Sequence, residues 1–431
     1  MAFNPGSIRA TGGMFAIALL ATSQLAAQAA LSQAAQDMAP MAEPAKPTAT
    51  TTVPPGDCPA GQVMDPAMKI CLAAAPKRKP AVMIRINQFL VYSATSGPRG
   101  QERVTGPGAW MLMIDKDLSP RNSFNVSVMG SLEQLTVGSI GTPQLLQTEN
   151  LDAMHAHDTL MAVEFRDKIK LGAANDQDLT LLFAPRGGAA FGPVPYMHRD
   201  SAEGNPDSPL GHNMQDGFHD VSTVFGLAYR LGRTALEATA FSGHDISWPL
   251  PLHKPDSFAV RLTHQIDDGV TLGGSYADVL SPSDTGGGEH ERFVAAWIST
   301  SHQFHAVRLR SSLVWGRTKA PHSPPQNSFL TEAVAQRGAD NLFGRAELLQ
   351  VTPDQLSLTD VGSSAPRWIG AMTVGYERVL LRKGPFSLFA GGSLTRDFVP
   401  SAFDLEYGQR PRGAKLFLRI KVGASGAMSA M

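Results

Sequence analysis

Two cysteines, Cys58 and Cys71, are all that 431 residues contain, so neither a multi-cysteine zinc module nor a disulfide-dense scaffold is encoded. Long hydrophobic runs are equally scarce. Beyond the N-terminus no stretch approaches the roughly 20 apolar residues that a helix needs to cross a bilayer, although hydrophobic types make up 43% of the chain. A helical membrane protein is excluded. Charge of one sign is missing too. The formal net charge is −1 with a pI near 6.9, and no basic run exceeds Lys77-Arg78-Lys79, which argues against nucleic acid as a partner. Catalytic signatures are absent, with no Gly-x-Ser-x-Gly elbow and no His-Glu-x-x-His helix. Ser242, His244 and Asp245 stand together, but a triad is a spatial arrangement that a local string does not supply. An enzyme, such as a barrel hydrolase, is the least expected reading.

What is present begins with an export signal. Arg9 precedes the apolar run Met14 to Ala21, and Ala27-Gln28-Ala29 supplies small residues for cleavage, so residues 1–29 are expected to be a secretory signal peptide. Residues 30–80 are rich in Ala, Pro and Thr and have little to bury, which predicts a flexible periplasmic segment. Within it, Cys58 and Cys71 are expected to pair in an oxidising compartment. That crosslink would contribute on the order of 3 kcal/mol. The alternative is a soft-metal site in which Met64 and Met68 join the two thiols.

From residue 81 onward the chain alternates between stretches of about ten residues with period-two hydrophobicity and connections that are alternately very short and long. This rhythm predicts an all-β fold: a closed antiparallel transmembrane β-barrel in a bacterial outer membrane, over residues 81–431. Phe225, Leu227, Tyr229 and Leu231 fall on one face, with Gly226, Ala228 and Arg230 on the other. Strands are expected near 83–93, 107–116, 122–130, 159–167, 176–184, 223–231, 233–242, 257–266, 270–279, 291–301, 303–315, 341–351, 355–361, 367–378, 385–396 and 412–422. That makes about sixteen, with twelve or fourteen as the other even counts.

Loop parity agrees. Tight links around Gly232, Asp267-Asp268-Gly269, His302, Pro353-Asp354 and Lys383-Gly384 fall on the periplasmic side. Connections near 131–158, 185–222, 243–256, 280–290, 316–340 and 397–411 fall outside. Trp110, Tyr229, Tyr276, Trp297, Trp315, Trp368 and Tyr376 are candidates for the aromatic girdles. Period two puts Arg261, Arg308, Arg310, Arg345 and Glu347 on the face opposite the large apolar side chains, as a polar lumen lining.

Nine of the twelve histidines fall in segments placed outside, namely His155, His157, His198, His212, His219, His244, His253, His290 and His322. Several stand beside methionine. Met154, His155 and His157, then Met197 and His198, then His212, Met214 and His219 form a candidate metal set, since imidazole with thioether suits copper better than magnesium or calcium. Solvated loop histidines are the plainer alternative. Asp216 and Asp220 are placed to orient His212 or His219.

The longest loop carries Pro195-Tyr196-Met197-His198-Arg199-Asp200, then Asn205-Pro206, Pro209-Leu210-Gly211-His212, and Gln215-Asp216-Gly217-Phe218-His219. This resembles a family of poorly characterised bacterial outer-membrane barrels with a Met-His-Arg…Asn-Pro…Pro…His-His…Asp-Ser-Thr-His signature. Residues 235–245 and the closing Leu416-Phe417-Leu418-Arg419-Ile420 are similar to the same family. Here Asn213 stands in place of the second paired histidine, Gly217-Phe218 in place of Ser-Thr, and His244-Asp245 in place of Arg-Glu. Members often accompany copper and heavy-metal efflux systems, so the resemblance implies a link to copper.

The resulting expectation is a passive outer-membrane pore for small hydrophilic or anionic solutes, linked through its loops to copper handling. The alternative is a non-conducting metal-binding or structural barrel with the 185–222 loop plugging the lumen. Outer-membrane lipid is the surrounding partner, and assembly into an oligomer is left open by the sequence.

Overall fold

A computed structural model describes residues 62–65, 70–73, 80–148, 152–172, 176–243, 252–280, 288–358 and 364–423. The signal peptide, Cys58, His244 and Asp245 lie outside them. The chain divides into two units, Met1–Ala74 and Ala75–Met431. In the first, Gln62–Asp65 and Ile70–Ala73 pair as a two-stranded antiparallel ribbon in which Met64 stands opposite Cys71.

The second unit is a closed barrel of sixteen antiparallel strands. The first three are β1 (Ala81–Thr95), β2 (Glu102–Thr105 resuming at Gly108–Ser119) and β3 (Asn122–Gly130). Next come β4 (Ala162–Lys170), β5 (Gln177–Gly187), β6 (Val221–Leu231) and β7 (Thr234–Ser242). β8 (Ser257–Asp267), β9 (Val270–Leu280), β10 (His290–Phe304) and β11 (Val307–Lys319) follow. The wall ends with β12 (Gln326–Arg337), β13 (Asp340–Val351), β14 (Arg367–Lys383), β15 (Phe386–Phe398) and β16 (Arg412–Val422). β16 pairs back onto β1, from Gly413 opposite Thr95 to Val422 opposite Ile86, so no edge is left open. β2 lapses at Gly106-Pro107 because proline has no N–H to donate to the ladder. Gln88 fills the gap through Nε2, donating to the Gly106 carbonyl at 2.6 Å.

Alternation sets the two faces. Phe225, Leu227, Phe258, Leu262, Leu313, Leu342, Leu348, Leu416 and Leu418 are exposed on the outside, as a lipid-facing band requires. Tyr229, Trp368 and Tyr376 are exposed with them. Trp297 is not part of a girdle: it is buried and packs on Val314 and Leu330. No helix among the described residues is long and apolar enough to cross a membrane.

Two strand assignments need correction. The strand expected at 355–361 is not formed over its described residues 355–358: Asp354–Leu356 form a single helical turn after Pro353, and Leu356 and Leu358 are buried in an apolar cluster with Phe403 and Tyr407, while 359–361 lie outside the described residues. Their leucine alternation reflects that cluster, not a sheet. The missing strand is β12, placed in a loop because its inward face carries Leu330 and Val334, both buried, and so blurs the polar alternation. The two errors cancel in the count but move Pro353-Asp354 from the short-turn end to the long-loop end. At the short-turn end the links at Gly338-Ala339 and Gly384-Pro385 are the tight ones.

Candidate functional site

The third long connection, residues 188–220, joins β5 to β6 and turns into the barrel. Glycine makes the entry. Gly192 has φ +70°, and a Cβ there would stand 2.0 Å from the Gln215 carbonyl oxygen. Short helical turns at Tyr196–His198, Asp200–Ala202 and His212–Gln215 stiffen the remainder of the loop. The loop bonds to wall strands all around the lumen. Ala190 donates its N–H to Thr239 on β7 at 2.9 Å, Gly192 to Ser275 on β9 at 2.9 Å, and Leu210 to Glu347 on β13 at 2.6 Å. Ser201 meets Ser312 on β11 at 2.7 Å, and Asp207 accepts from Lys415 on β16.

Charge fastens the loop. Buried Arg199 donates Nε to Glu332 on β12 at 2.5 Å and Nη1 to Asp216 at 2.6 Å. Glu203 is held by Arg310 on β11 and by Arg419 and Lys421 on β16. Burial alone would raise the Glu203 carboxyl, but Lys421, Arg419 and Arg310 outweigh it and hold it well below the carboxylate range. Burial acts the same way on Asp216 and is overcome by His212 and Arg199.

Of the five residues placed on the lumen face, four are engaged. Arg261 pairs with Glu237 at 2.7 Å, Arg310 with Glu203, Arg345 with Glu332 at 3.1 Å, and Glu347 accepts from Leu210. Arg308 makes no ion pair among the described residues and reaches only the Ser301 hydroxyl at 3.4 Å. It lines a cavity of about 420 Å³ that runs from Met197 and His198 on the loop to the short turn at Gly384-Pro385. Arg85, Arg382, Arg419 and Lys421 line the same wall.

At the other end four connections close together. Leu145, Leu146, Leu210, Met214, Leu356, Phe403 and Tyr407 form one buried cluster. Beside it Arg99 donates to Asp152 at 3.2 Å, to the Tyr407 hydroxyl at 3.1 Å and to the Leu356 carbonyl at 2.8 Å. Tyr407 in turn donates to Asp152 at 2.8 Å. On the opposite wall Phe191 and Phe218 of the loop pack with Phe241, Ala277 and Phe293.

The candidate metal set is divided by the fold. The rings of His155 and His157 lie 5.5 Å apart, those of His157 and His219 5.7 Å, and those of His212 and His219 5.0 Å. His198 turns away to place Nε2 2.9 Å from the Met129 sulfur. Met197 packs with Met111, Met129 and Met161, whereas Met154 accepts from the Tyr196 hydroxyl at 3.3 Å and Met214 joins the outer apolar cluster. No three His, Cys, Asp or Glu side chains among the described residues already stand at coordinating separation. Asp220 binds Arg186, not a histidine.

Several residues that shape the site were given no role in it by the sequence, although Arg199 and Arg419 fall within the signature segments. Glu332 lies in the strand mistaken for a loop. Lys415, Arg419 and Lys421 share one face of the closing strand, and that alternation was a signal for them. Glu203 and Arg199 carry no local pattern that predicts a partner more than 100 residues away.

The closed sixteen-stranded barrel is similar in fold to solved porin structures. An anion-selective porin from Comamonas acidovorans superposes with a TM-score of 0.53 at 10% identity, over 80% of this chain and 100% of that one. OmpF of Salmonella typhi, in complex with daunomycin, gives 0.50 at 8%, covering 79% and 97%. A loop-deletion variant of OmpT, an outer membrane protein of Vibrio cholerae, gives 0.50 at 8%, covering 79% and 99%. No family model matches the chain, and no curated protein matches it in sequence.

Proposed function

We propose that this barrel is a passive outer-membrane pore of porin architecture that passes small hydrophilic solutes, with a preference for anions, through a lumen narrowed by the 188–220 loop. One observation carries the reading. Arg85, Arg308 and Arg382 line the inner cavity, and none of the three is ion-paired among the described residues. Of the acidic residues lining the same cavity, Glu203 is held by three cations, whereas Glu133 bonds to His157 and Asp200 makes no ion pair among the described residues, so three unpaired guanidiniums face two carboxylates there. Unpaired guanidinium groups in a low-dielectric cleft raise the local concentration of anions.

The second reading is a barrel plugged by the loop, favoured by the apolar clusters at the long-loop end. Planar-bilayer recording of the refolded protein under a salt gradient separates the two. Discrete steps with a chloride-sided reversal potential are expected, moving toward the cation side in an Arg308→Glu/Arg382→Glu variant. Unchanged selectivity in that variant overturns the anion preference, and silence from a folded barrel selects the plug.

A further inference from the structure

On the outer surface two arginines stand directly opposite each other at the long-loop end: Arg396 on β15 and Arg412 on β16, the last pair of that ladder before the 399–411 connection. Alternation turns both toward the lipid. Leu394 and Phe398 share the face of Arg396 and are 64% and 44% exposed, and Leu416 shares the face of Arg412 at 68%, whereas Ser393, Asp397 and Lys415 on the alternate positions are buried. Arg410 adds a third cation to the same edge. The residue is exposed, and its backbone carbonyl accepts from Arg396 Nη1 at 3.1 Å.

Like charges directly opposite on a sheet destabilise it, yet none of the three arginines makes an ion pair among the described residues. Glu102, two strands away on the same face, accepts instead from the Tyr92 hydroxyl at 3.4 Å. Other exposed cations of the outer face do have an acid: Arg378, near the opposite rim, donates to Asp340 at 2.8 Å, and Arg292 stands 3.6 Å from Asp278. A barrel tolerates arginine on its outer face only near the membrane interface. The cluster therefore marks the level of the lipid headgroups, with Leu394 and Leu416 below it at the level of the acyl chains.

We propose that Arg396, Arg410 and Arg412 form a binding site for the phosphomonoester headgroup of an outer-leaflet lipid whose acyl chains lie along Leu394 and Leu416. A guanidinium presents its N–H donors in a planar fork that matches phosphate oxygens. A phosphomonoester carries about 1.5 to 2 negative charges at neutral pH, so one headgroup supplies the charge that this edge lacks and relieves the repulsion between the facing arginines. It also fixes the 399–411 connection, whose Phe403 and Tyr407 belong to the apolar cluster at the long-loop end. The site lies on the outside of the wall. It rests on the barrel standing in an outer membrane and not on what the lumen conducts.

The test uses the refolded full chain in a neutral detergent, titrated with lipid A bearing two phosphomonoesters, with bound lipid counted by native mass spectrometry. The wild type should retain the lipid. Arg396→Gln/Arg412→Gln should bind it roughly thirtyfold more weakly, about fivefold for each cation removed, and Arg378→Gln should bind it as the wild type does. Dephosphorylated lipid A on the wild type reads the same contact without any variant, and its retention should fall as far as that of the double variant. Phosphatidylglycerol, an anionic phosphodiester, should be retained more weakly than lipid A. Equal retention of lipid A by wild type and double variant, equal retention of the dephosphorylated lipid, or equal retention of phosphatidylglycerol overturns the site. The proposed pore is unaffected by any of these outcomes, since it is read from conductance alone.

Discussion

Arg199 and Glu332 join the inward loop to the barrel wall: the guanidinium Nε of the first donates to the carboxylate of the second at 2.5 Å, with both side chains almost fully buried. Neither group stands alone. Glu332 also accepts from Arg345 at 3.1 Å, and Asp216 accepts the second Arg199 bond. The loop is thus fixed to β12 and β13 by one network of two guanidiniums and two carboxylates.

Removing one member of a buried pair costs about 3–5 kcal/mol, because the other charge is left without compensation. Arg199→Met should therefore undock the 188–220 loop while the strands remain paired. Limited proteolysis should cut the loop in the variant and spare it in the wild type, and the conductance steps should grow. The Arg199→Met/Glu332→Gln double variant should lose less than the sum of the two single effects, as coupled neighbours do. Equal protease resistance in all forms would show that the pair does not hold the loop.

How much of this was legible depends on which surface each strand faces. Where the outside meets lipid and the inside is polar, as in Phe225 to Leu231 or Val307 to Leu313, period two gives strand, face and register directly. Where the loop fills the lumen, the inner face needs apolar residues as well. Leu330, Val334 and Phe343 are buried there, and the alternation fades where the loop packs. Trp297 reads as a girdle residue for the same reason. The loop histidines were visible as a group, but their sorting was not. His157 and His219 meet only because residues 131–161 and 188–220 fold over one another, and sequence spacing carries nothing of that.

His198 gives the loop a pH dependence. Burial, aided by the charge of Arg85, pushes its imidazole down to about 4 from the ordinary 6.5. The folded state therefore binds fewer protons there than the unfolded state does. The stabilising contribution of the neutral ring is complete above pH 6.5 and is lost as pH falls toward 4. Protease sensitivity of the loop should rise across that window in the wild type. His198→Leu, which cannot titrate beside Met129, should flatten the rise. A wild-type loop equally resistant at both ends of the window would count against this role.

The wall itself can be tested at a glycine that makes room for an aromatic ring. Gly273 on β9 stands directly opposite Trp297 on β10, and a Cβ at Gly273 would meet the indole at 2.0 Å. The next residue, Gly274, faces the other way, where a Cβ would have nothing nearer than the Ala295 carbonyl oxygen at 3.8 Å. Both substitutions place the same side chain at neighbouring positions of one strand, so the pair compares the inner face with the outer one. Gly273→Val should push Trp297 off Val314 and Leu330, and overpacking of this kind costs typically about 1–3 kcal/mol. Gly274→Val should be neutral or slightly stabilising, because it adds apolar surface where lipid receives it. Thermal unfolding followed by far-ultraviolet circular dichroism should separate the two, with the Gly273 variant melting lower. Equal melting temperatures would mean that Trp297 can turn elsewhere and that the ring does not depend on the space glycine leaves.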